Sequence, residues 1–539
     1  MKHFRTGFAL FVSVLLLAMA STALANEGKG AEMSPEVDLQ ILAFNDFHGA
    51  LVGGKNKGGA EYLAAHLREL ESTTRNTVII SAGDMIGASP SVSALFHDEP
   101  TIEAANLMGV DFAAVGNHEF DEGWDELLRM QSGGCHPDDG CIDGDPYDGA
   151  EFPFLAANVI VEETGETLFP AYKIKTFQGV RVAFVGVVLE GTPGIVTASA
   201  TEGLAFLDEA DTINALMPEF EKVNVEAIIA IVHQGGNKKC GGTIVDIVER
   251  TDDEVDLFLT GHSHAAYTCT IDGRTVTGAG SKGNLFTEID LTLNRVTKDV
   301  TSVNAVNHKT NHDIEPAADV AALVDKYEEL AAARINRVIG SITTNITKNS
   351  NAAKESALGD VIADAQLEAT AAADKGAAVV AFMNPGGIRA DFSYDEISAG
   401  EAPGEVTYGE AFAVQPFNNY LITMTLTGAQ IDALLERQFE VGKVLQVSEG
   451  FSYSWSAGAS VGSKVDIASI MIGGVPIDAA AEYRVTVNNY LAGGGDGFAV
   501  LTEGTDRVQG MIDVDALVAY FEANSPVAPG PKNRITKIS

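Results

Sequence analysis

Apolar positions along this chain fall into short runs separated by polar turns. Residues 37–44, 77–81, 112–115, 227–232 and 255–260 are rich in Val, Ile, Leu, Phe and Ala, and their brevity predicts buried strands. Between them, 61–71 and 101–108 read as helices. This alternation predicts an α/β domain of layered sheets with flanking helices. Residues 313–337 then form one long amphipathic pattern, with Val320, Leu323, Val324, Tyr327, Leu330 and Ile335 on one face and charges on the other. The chain changes character there, so the domain connection is placed in this helix. From about residue 340 a second α/β region begins, including a helix over 357–371 and a strand over 377–382. Neither an internal repeat nor a low-complexity tract interrupts it.

The 539 residues are 46% apolar and 20% charged, which excludes disorder and a small disulfide scaffold. Thirty-five Lys and Arg face 75 Asp and Glu, a formal charge of −40. Such a surface repels polyanions and argues against nucleic-acid polymers and anionic membranes as partners. A phosphate-bearing small molecule can bind only where metals or a few cations reverse the local field. Residues 1–25 read as a cleaved leader: Lys2 and Arg5 precede an apolar stretch over 8–20, and Ala23-Leu24-Ala25 supplies the small-residue cleavage site. No later stretch is apolar for long enough to span a bilayer. The expectation is an exported chain, periplasmic or secreted, without a membrane anchor. Four Cys follow the leader. In an oxidising compartment they form disulfides; nearest neighbours are Cys135 with Cys141 and Cys240 with Cys269, among three possible connectivities. Their spacing matches no common zinc site.

Each of the five strands runs into metal-capable side chains. The first leads to Asn45-Asp46-Phe47-His48-Gly49, the second to Ala82-Gly83-Asp84, and the third to Gly116-Asn117-His118-Glu119. The fourth ends in Val232-His233-Gln234-Gly235 and the fifth in Gly261-His262-Ser263-His264. In α/β sheets, sites assemble beyond the carboxyl ends of strands, so residues far apart in sequence can converge. Imidazoles and carboxylates suit zinc, manganese or iron. Asp46, His48, Asp84, Asn117, His233, His262 and His264 are too many ligands for one ion and suited to two. Such a pair can bind a phosphoryl oxygen and lower the pKa of a bridging water, with no Ser or Cys nucleophile. His66, His97, His136, His308 and His312 lack this context and read as ordinary hydrogen-bonded loop or core residues.

The order D-x-H, G-D, G-N-H-E, H-x-G, G-H-x-H resembles the calcineurin-like metallophosphoesterase pattern. Together with Gly116–Asp121 and the run Phe152-Pro153-Phe154-Leu155-Ala156-Ala157-Asn158, it is similar to the 5′-nucleotidase family. The resemblance implies a four-layer αββα domain over 36–312, a connecting helix over 313–339 and a C-terminal α/β substrate-binding domain over 340–539. It further implies two divalent ions, zinc, manganese or similar. Asp46, His48 and His264 would hold one, Asn117, His233 and His262 the other, with Asp84 bridging. His118 would stabilise the transition state or protonate the leaving oxygen, and Asp121 would orient its ring.

The second half carries Asn384-Pro385-Gly386-Gly387-Ile388-Arg389, Pro416-Phe417-Asn418-Asn419 and a stretch from Asn489 and Tyr490 to Asp496. Each is weak alone, since a Gly-rich turn is ordinarily only a turn. The resemblance gives them roles. Phe417 and Tyr490 would sandwich a base, Asp496 would accept ribose hydroxyls, and Asn384 and Arg389 would hold the phosphate side with Lys354. Lys354 stands where the family commonly has Arg, a point charge in place of a planar fork. The implied reaction is hydrolysis of nucleoside 5′-monophosphates such as AMP by a metal-bound hydroxide, for nucleotide salvage. The same site suits UDP-sugars or 2′,3′-cyclic nucleotides. A catalytically silent nucleotide-binding protein is the alternative of a different class, and it expects lost ligands.

Overall fold

The computed structural model describes residues 34–54, 57–398 and 400–538, so the leader lies outside the described residues. Two six-stranded sheets form the N-terminal half. The first runs Val300–Lys309, Leu285–Asn294, Glu36–Phe44, Thr77–Ser81, Phe112–Ala114, Phe154–Leu155. The second runs Ala266–Ile271, Arg274–Ala279, Val255–Thr260, Ala227–His233, Val180–Val188, Tyr172–Phe177. Four strands in each are parallel neighbours.

Side chains alternate across a strand, and both faces of these strands are covered. Leu39, Ile41 and Ala43 meet Phe184, Ile229 and Ile231 of the opposing sheet. Leu42 and Phe44 point the other way, into a cluster with Leu63 and Leu67 of the helix Ala60–Glu71. In the second sheet Val185, Ala230 and Val232 pack under Ile213 and Phe220 of Glu209–Val223 and Ile247 of Ile244–Arg250. This is an αββα sandwich, and it explains why the strands read as continuous apolar runs instead of alternating ones.

The C-terminal half is built on a five-stranded sheet, in the order Gln446–Val447, Val380–Met383, Glu482–Asn488, Tyr420–Thr427, Thr505–Ile512. Ile431, Leu434 and Leu435 of the helix Gly428–Glu440 cover one face. Ala357–Thr370 and Asp513–Asn524 pack together on the other, through Ile362, Ala365, Leu517 and Phe521. The helix Ala318–Ile335 touches both halves. Val320 and Val324 enter the first core, while Arg334 Nη2 donates to Tyr408 Oη at 3.0 Å.

Several element ends differ from the sequence reading. The connecting helix begins at Ala318 rather than 313, because Pro316 disfavours helical backbone in the residue before it. The strand expected over 377–382 is Val380–Met383, since Gly376 and the left-handed Ala377 (φ 56°) make a turn first. Cys135 pairs with Cys141 and Cys240 with Cys269, at Cα separations of 4.7 and 5.7 Å. No helix among the described residues is long and apolar enough to cross a membrane.

The loop closed by Cys135 and Cys141 is docked by imidazoles. His136 stacks on His97 with ring centroids 3.8 Å apart and planes 5° from parallel. His97 donates Nδ1–H to Glu122 (2.6 Å) and Nε2–H to Asp139 (3.1 Å), so it is an imidazolium. His136 Nδ1 accepts from the backbone of Asp138 and Asp139. Burial opposes the charge on His97, but Glu122, Glu126 and Asp139 outweigh it and push its pKa up to about 9.

Two stability predictions follow from these contacts. Because the folded pKa of His97 lies above its value of about 6.5 in the unfolded chain, its contribution is complete below that value and is lost as pH rises through about 9. Tm measured from pH 6 to 9.5 is therefore expected to fall less steeply in His97→Gln than in the parent chain. A second test concerns Asn158, whose Nδ2 donates to Val188 O (2.5 Å) and Leu207 O (2.9 Å) and whose Oδ1 accepts from Val188 N (3.0 Å). Asn158→Ala leaves these buried groups unpaired and is expected to destabilise by about 3 kcal/mol, read as a lowered unfolding temperature.

Candidate active site

The carboxyl ends of the parallel strands in both sheets open on one edge, and the chain turns sharply there. Asp46, His48, Asp84, His262 and His264 all have positive φ, between 47° and 66°. Left-handed backbone in a non-glycine residue costs on the order of 1–3 kcal/mol, so five such residues at one spot mean that the surrounding fold holds them there. Two glycines make room. Gly83 has φ 90°, and a Cβ on it would overlap the His233 ring; a Cβ on Gly116 would sit 2.6 Å from Asp84 N.

The side chains converge in two groups with one shared member. Asp46, His48, Asp84 and His264 offer ligand atoms within 4.8 Å of one another, as do Asp84, His233 and His262. Asn117 joins the second group, its Oδ1 2.9 Å from His262 Nδ1. All seven residues named from the sequence are thus together. Asp46, His48, Asp84, Asn117 and His233 are buried, while His264 reaches the surface.

Hydrogen bonds aim these groups. Nδ1–H of His48 donates to Gly87 O (2.9 Å) and that of His233 to Ala82 O (2.8 Å), which turns both Nε2 atoms inward. There they meet other ligand atoms. His48 Nε2 is 3.1 Å from His264 Nε2, and His233 Nε2 is 3.0 Å from Asp84 Oδ2 yet is aligned with no hydrogen-bond partner. Burial holds the pKa of His48 well below its ordinary value. Burial and neighbouring imidazoles push His262 down to about 4, and burial with Arg389 and His118 does the same to His264. Burial opposes a charge on His233, but Asp84 and Asp46 outweigh it and push its pKa up to about 10, a proton that a bound cation would displace. Imidazoles and carboxylates crowded around common centres are the donor set of a divalent transition metal. The residues fit such ions.

Glu119 was quoted in the sequence motif without a role, and the structure supplies one. It is 2% exposed, and its carboxylate accepts from Asp84 N (2.9 Å), Met85 N (2.6 Å) and Gly116 N (2.5 Å). It therefore clamps the second loop to the third. Asn45 was likewise missed: it bridges Ala279 N and Gly280 O, both at 2.8 Å, and also reaches Asp46. A carboxylate or amide next to a ligand run is the only signal the sequence held for either.

His118 lies beside these groups and bonds differently. Its Nδ1 donates to Asp121 Oδ2 (2.8 Å), and its ring centroid is 4.9 Å from that of His48. Burial opposes its charge, but Asp121 and Asp84 outweigh burial and push its pKa up to about 9. It is a proton donor by environment, where His262 and His264 are lone-pair donors.

The second half closes over this edge. A cavity of about 430 Å³ is lined by Asn117, His118 and His262 together with Tyr490 and Asp496. Asn384, Arg389 and Phe417 also line it. Phe417 lies nearly parallel to His118 at 6.1 Å, and Arg389 sits over the Phe417 ring at 5.6 Å. Asp496 accepts from Tyr490 Oη (2.7 Å), Asn384 Nδ2 (3.1 Å) and Lys443 Nζ. Lys443 was absent from the sequence reading, as were Leu189, Ile195 and Val196, which give the cavity an apolar wall. Lys354 is the exception among the expected substrate residues. It lines an adjoining cavity instead, where a left-handed turn (φ 73°) held by Gln446 Nε2 on its carbonyl (3.1 Å) carries it.

Comparison with known proteins agrees with this geometry. Residues 39–266 match the calcineurin-like phosphoesterase family and residues 338–503 the 5′-nucleotidase C-terminal domain. The endonuclease YhcR of Bacillus subtilis is 33% identical over 97% of this chain, which spans only 43% of that relative's length. The cell wall protein Lmo0130 of Listeria monocytogenes is 32% identical over 92% of this chain and 68% of its own. 5′-Nucleotidases of three Vibrio species align over more than nine-tenths of the chain at 26–27% identity. Among solved structures, the 5′-nucleotidase precursor of Thermus thermophilus superposes with a TM-score of 0.73 over 93% of this chain and 99% of its own, at 24% identity. With both domain types in this order, and with the donor groups in place, the chain belongs to the 5′-nucleotidase family of calcineurin-like phosphoesterases and is a metal-dependent phosphoester hydrolase.

Proposed function

We propose that the chain hydrolyses nucleoside 5′-monophosphates to nucleoside and orthophosphate outside the cytoplasm. One observation carries the reading: a single cavity is lined by Asn117 and His262 of the second ligand group and by His118, together with Arg389, Phe417, Tyr490 and the Asp496 carboxylate. That lining suits a phosphate joined to a nucleoside. Export is supported by the leader pattern, the two disulfides and a cell-wall relative.

Asp46, His48 and His264 would hold one divalent ion and Asn117, His233 and His262 the other, with Asp84 common to both. Such ions polarise phosphoryl oxygens and lower the pKa of water. The remaining work falls to the chain's own groups. Arg389 and Asn384 hold the phosphate side, and Arg supplies a planar fork suited to it. Phe417 and Tyr490 present π-faces to the base, and Asp496 accepts from the ribose hydroxyls. Water oxygen bonds to phosphorus as the bond from phosphorus to O5′ breaks. His118, its Nδ1–H committed to Asp121, gives the proton on Nε2 to the departing O5′. A raised pKa keeps that proton available near neutral pH.

Purified chain loaded with Mn²⁺ or Zn²⁺ is expected to release phosphate from AMP and to stop when EDTA is added. His118→Ala should lower kcat by about 10²–10⁴-fold with little change in KM. No release from AMP by the metal-loaded chain would sink the proposal. Turnover of UDP-glucose or a 2′,3′-cyclic nucleotide instead would keep the site and move the substrate. A separate measurement concerns the shared carboxylate. Asp84→Asn is expected to reduce bound metal, by elemental analysis, from about two ions per chain to one or fewer.

A further inference from the structure

Next to the cavity that joins the halves lies a second one, of about 300 Å³. The two share Lys443, and Pro385 of the second stands between Asn384 in sequence and Gly386 of the first. Lys348, Lys354 and Lys443 line it, and no carboxylate does. That composition runs against the whole chain, in which 75 acidic residues outnumber 35 Lys and Arg. Lys443 Nζ is paired with Asp496 and Lys348 Nζ reaches the carbonyls of Ile388 and Arg389, but the wall as a whole is basic, and such a wall attracts anions.

The position of these lysines identifies which anion. Lys348 Nζ donates to Arg389 O (2.9 Å), so it is tied to the turn that carries the phosphate-side Arg389. Lys443 Nζ pairs with Asp496 Oδ1, the oxygen that also accepts from Tyr490 Oη. Asp496 is the group assigned above to the ribose hydroxyls, so the basic cavity adjoins the ribose.

We infer that the lysine-lined cavity receives a second phosphate carried on the 2′ or 3′ oxygen of the ribose, so that the chain also acts on nucleoside bisphosphates. The inference rests on the nucleotide reading of the joined cavity. A ribosyl phosphate draws Lys443 away from Asp496 and frees that carboxylate for the remaining hydroxyl. Lysine is a flexible point charge with three donors, so the trio accommodates either ester position. The reaction is unchanged at the 5′ end. Water oxygen bonds to the 5′ phosphorus, its bond to O5′ breaks, and the proton of His118 goes to O5′. The products are orthophosphate and a nucleoside 2′- or 3′-monophosphate, with the ribosyl phosphate intact.

Calorimetric titration of the metal-loaded, full-length His118→Ala chain with AMP and with adenosine 2′,5′- and 3′,5′-bisphosphate tests this. At least one bisphosphate is expected to bind about tenfold more tightly than AMP at low salt, with the two arms showing which oxygen is read. The preference should fall towards unity in 0.5 M salt (a roughly 4 Å screening length) and in a Lys348→Gln/Lys354→Gln background. Equal or weaker binding of both bisphosphates overturns the inference, as does a preference that survives the double substitution. Phosphate release by the wild-type chain separates the two readings. Cleavage of AMP without a bisphosphate preference removes the basic cavity and leaves the nucleotidase. A binding preference with no release from any of the three nucleotides removes the nucleotidase and leaves the cavity. Absence of nucleotide binding removes both.

Discussion

The site depends on one buried carboxylate. Asp84 is 1% exposed, lies in left-handed backbone and belongs to both ligand groups. Burial alone would favour its neutral form, yet His233, His118 and His48 hold its pKa well below the ordinary carboxylate range. A charge placed there is tolerable only because imidazoles crowd it, and those imidazoles are in place only because five strands end at the same edge. Removing Asp84 would leave acceptors and lone pairs facing one another with nothing in common.

The framework around Asp84 is built to keep it from relaxing. Its backbone N–H goes to Glu119, and its Oδ1 accepts from His118 N at 2.9 Å. Glu119 takes two further amides from neighbouring loops, so the second and third strand ends move as one body. His118 is thereby fixed relative to the ligand groups, while Asp121 sets its tautomer. Local charge and burial set the protonation of these imidazoles one by one, and Asp84 raises both His118 and the ligand-group His233. His118 faces two carboxylates and is raised; burial above all, with neighbouring cationic groups, lowers His262 and His264.

Much of this was legible from the sequence because the relevant signals are local. Continuous apolar runs such as 227–232 read as buried strands, and the glycines beside Asp84 and Asn117 announce tight turns. Metal-capable residues at every strand end, together with the topology of α/β sheets, were enough to expect convergence. The disulfide partners were nearest neighbours in the sequence and proved to be nearest in space. Less legible were residues whose meaning lies in distant partners. Lys443 looks like any surface lysine until Asp496, far along the chain, comes beside it. Lys354 carried an expected role by position, yet its turn sends it to the adjoining cavity. His97 and His136 read as ordinary loop residues, and only packing shows one of them charged and stacked on the other.

The sequence by itself determined the order of elements, the ligand types and the division into a metal-rich half and an aromatic, glycine-rich half. These follow from side-chain chemistry and from periodicity, which are properties of short stretches. Tertiary structure decided which ring nitrogens face inward, which histidines keep a proton, and that Asn117 and His262 line one cavity with Phe417 and Tyr490. It also decided that three lysines of an acidic chain share a wall. These outcomes depend on burial and on charge at a few ångströms, and both are set by contacts between residues hundreds of positions apart.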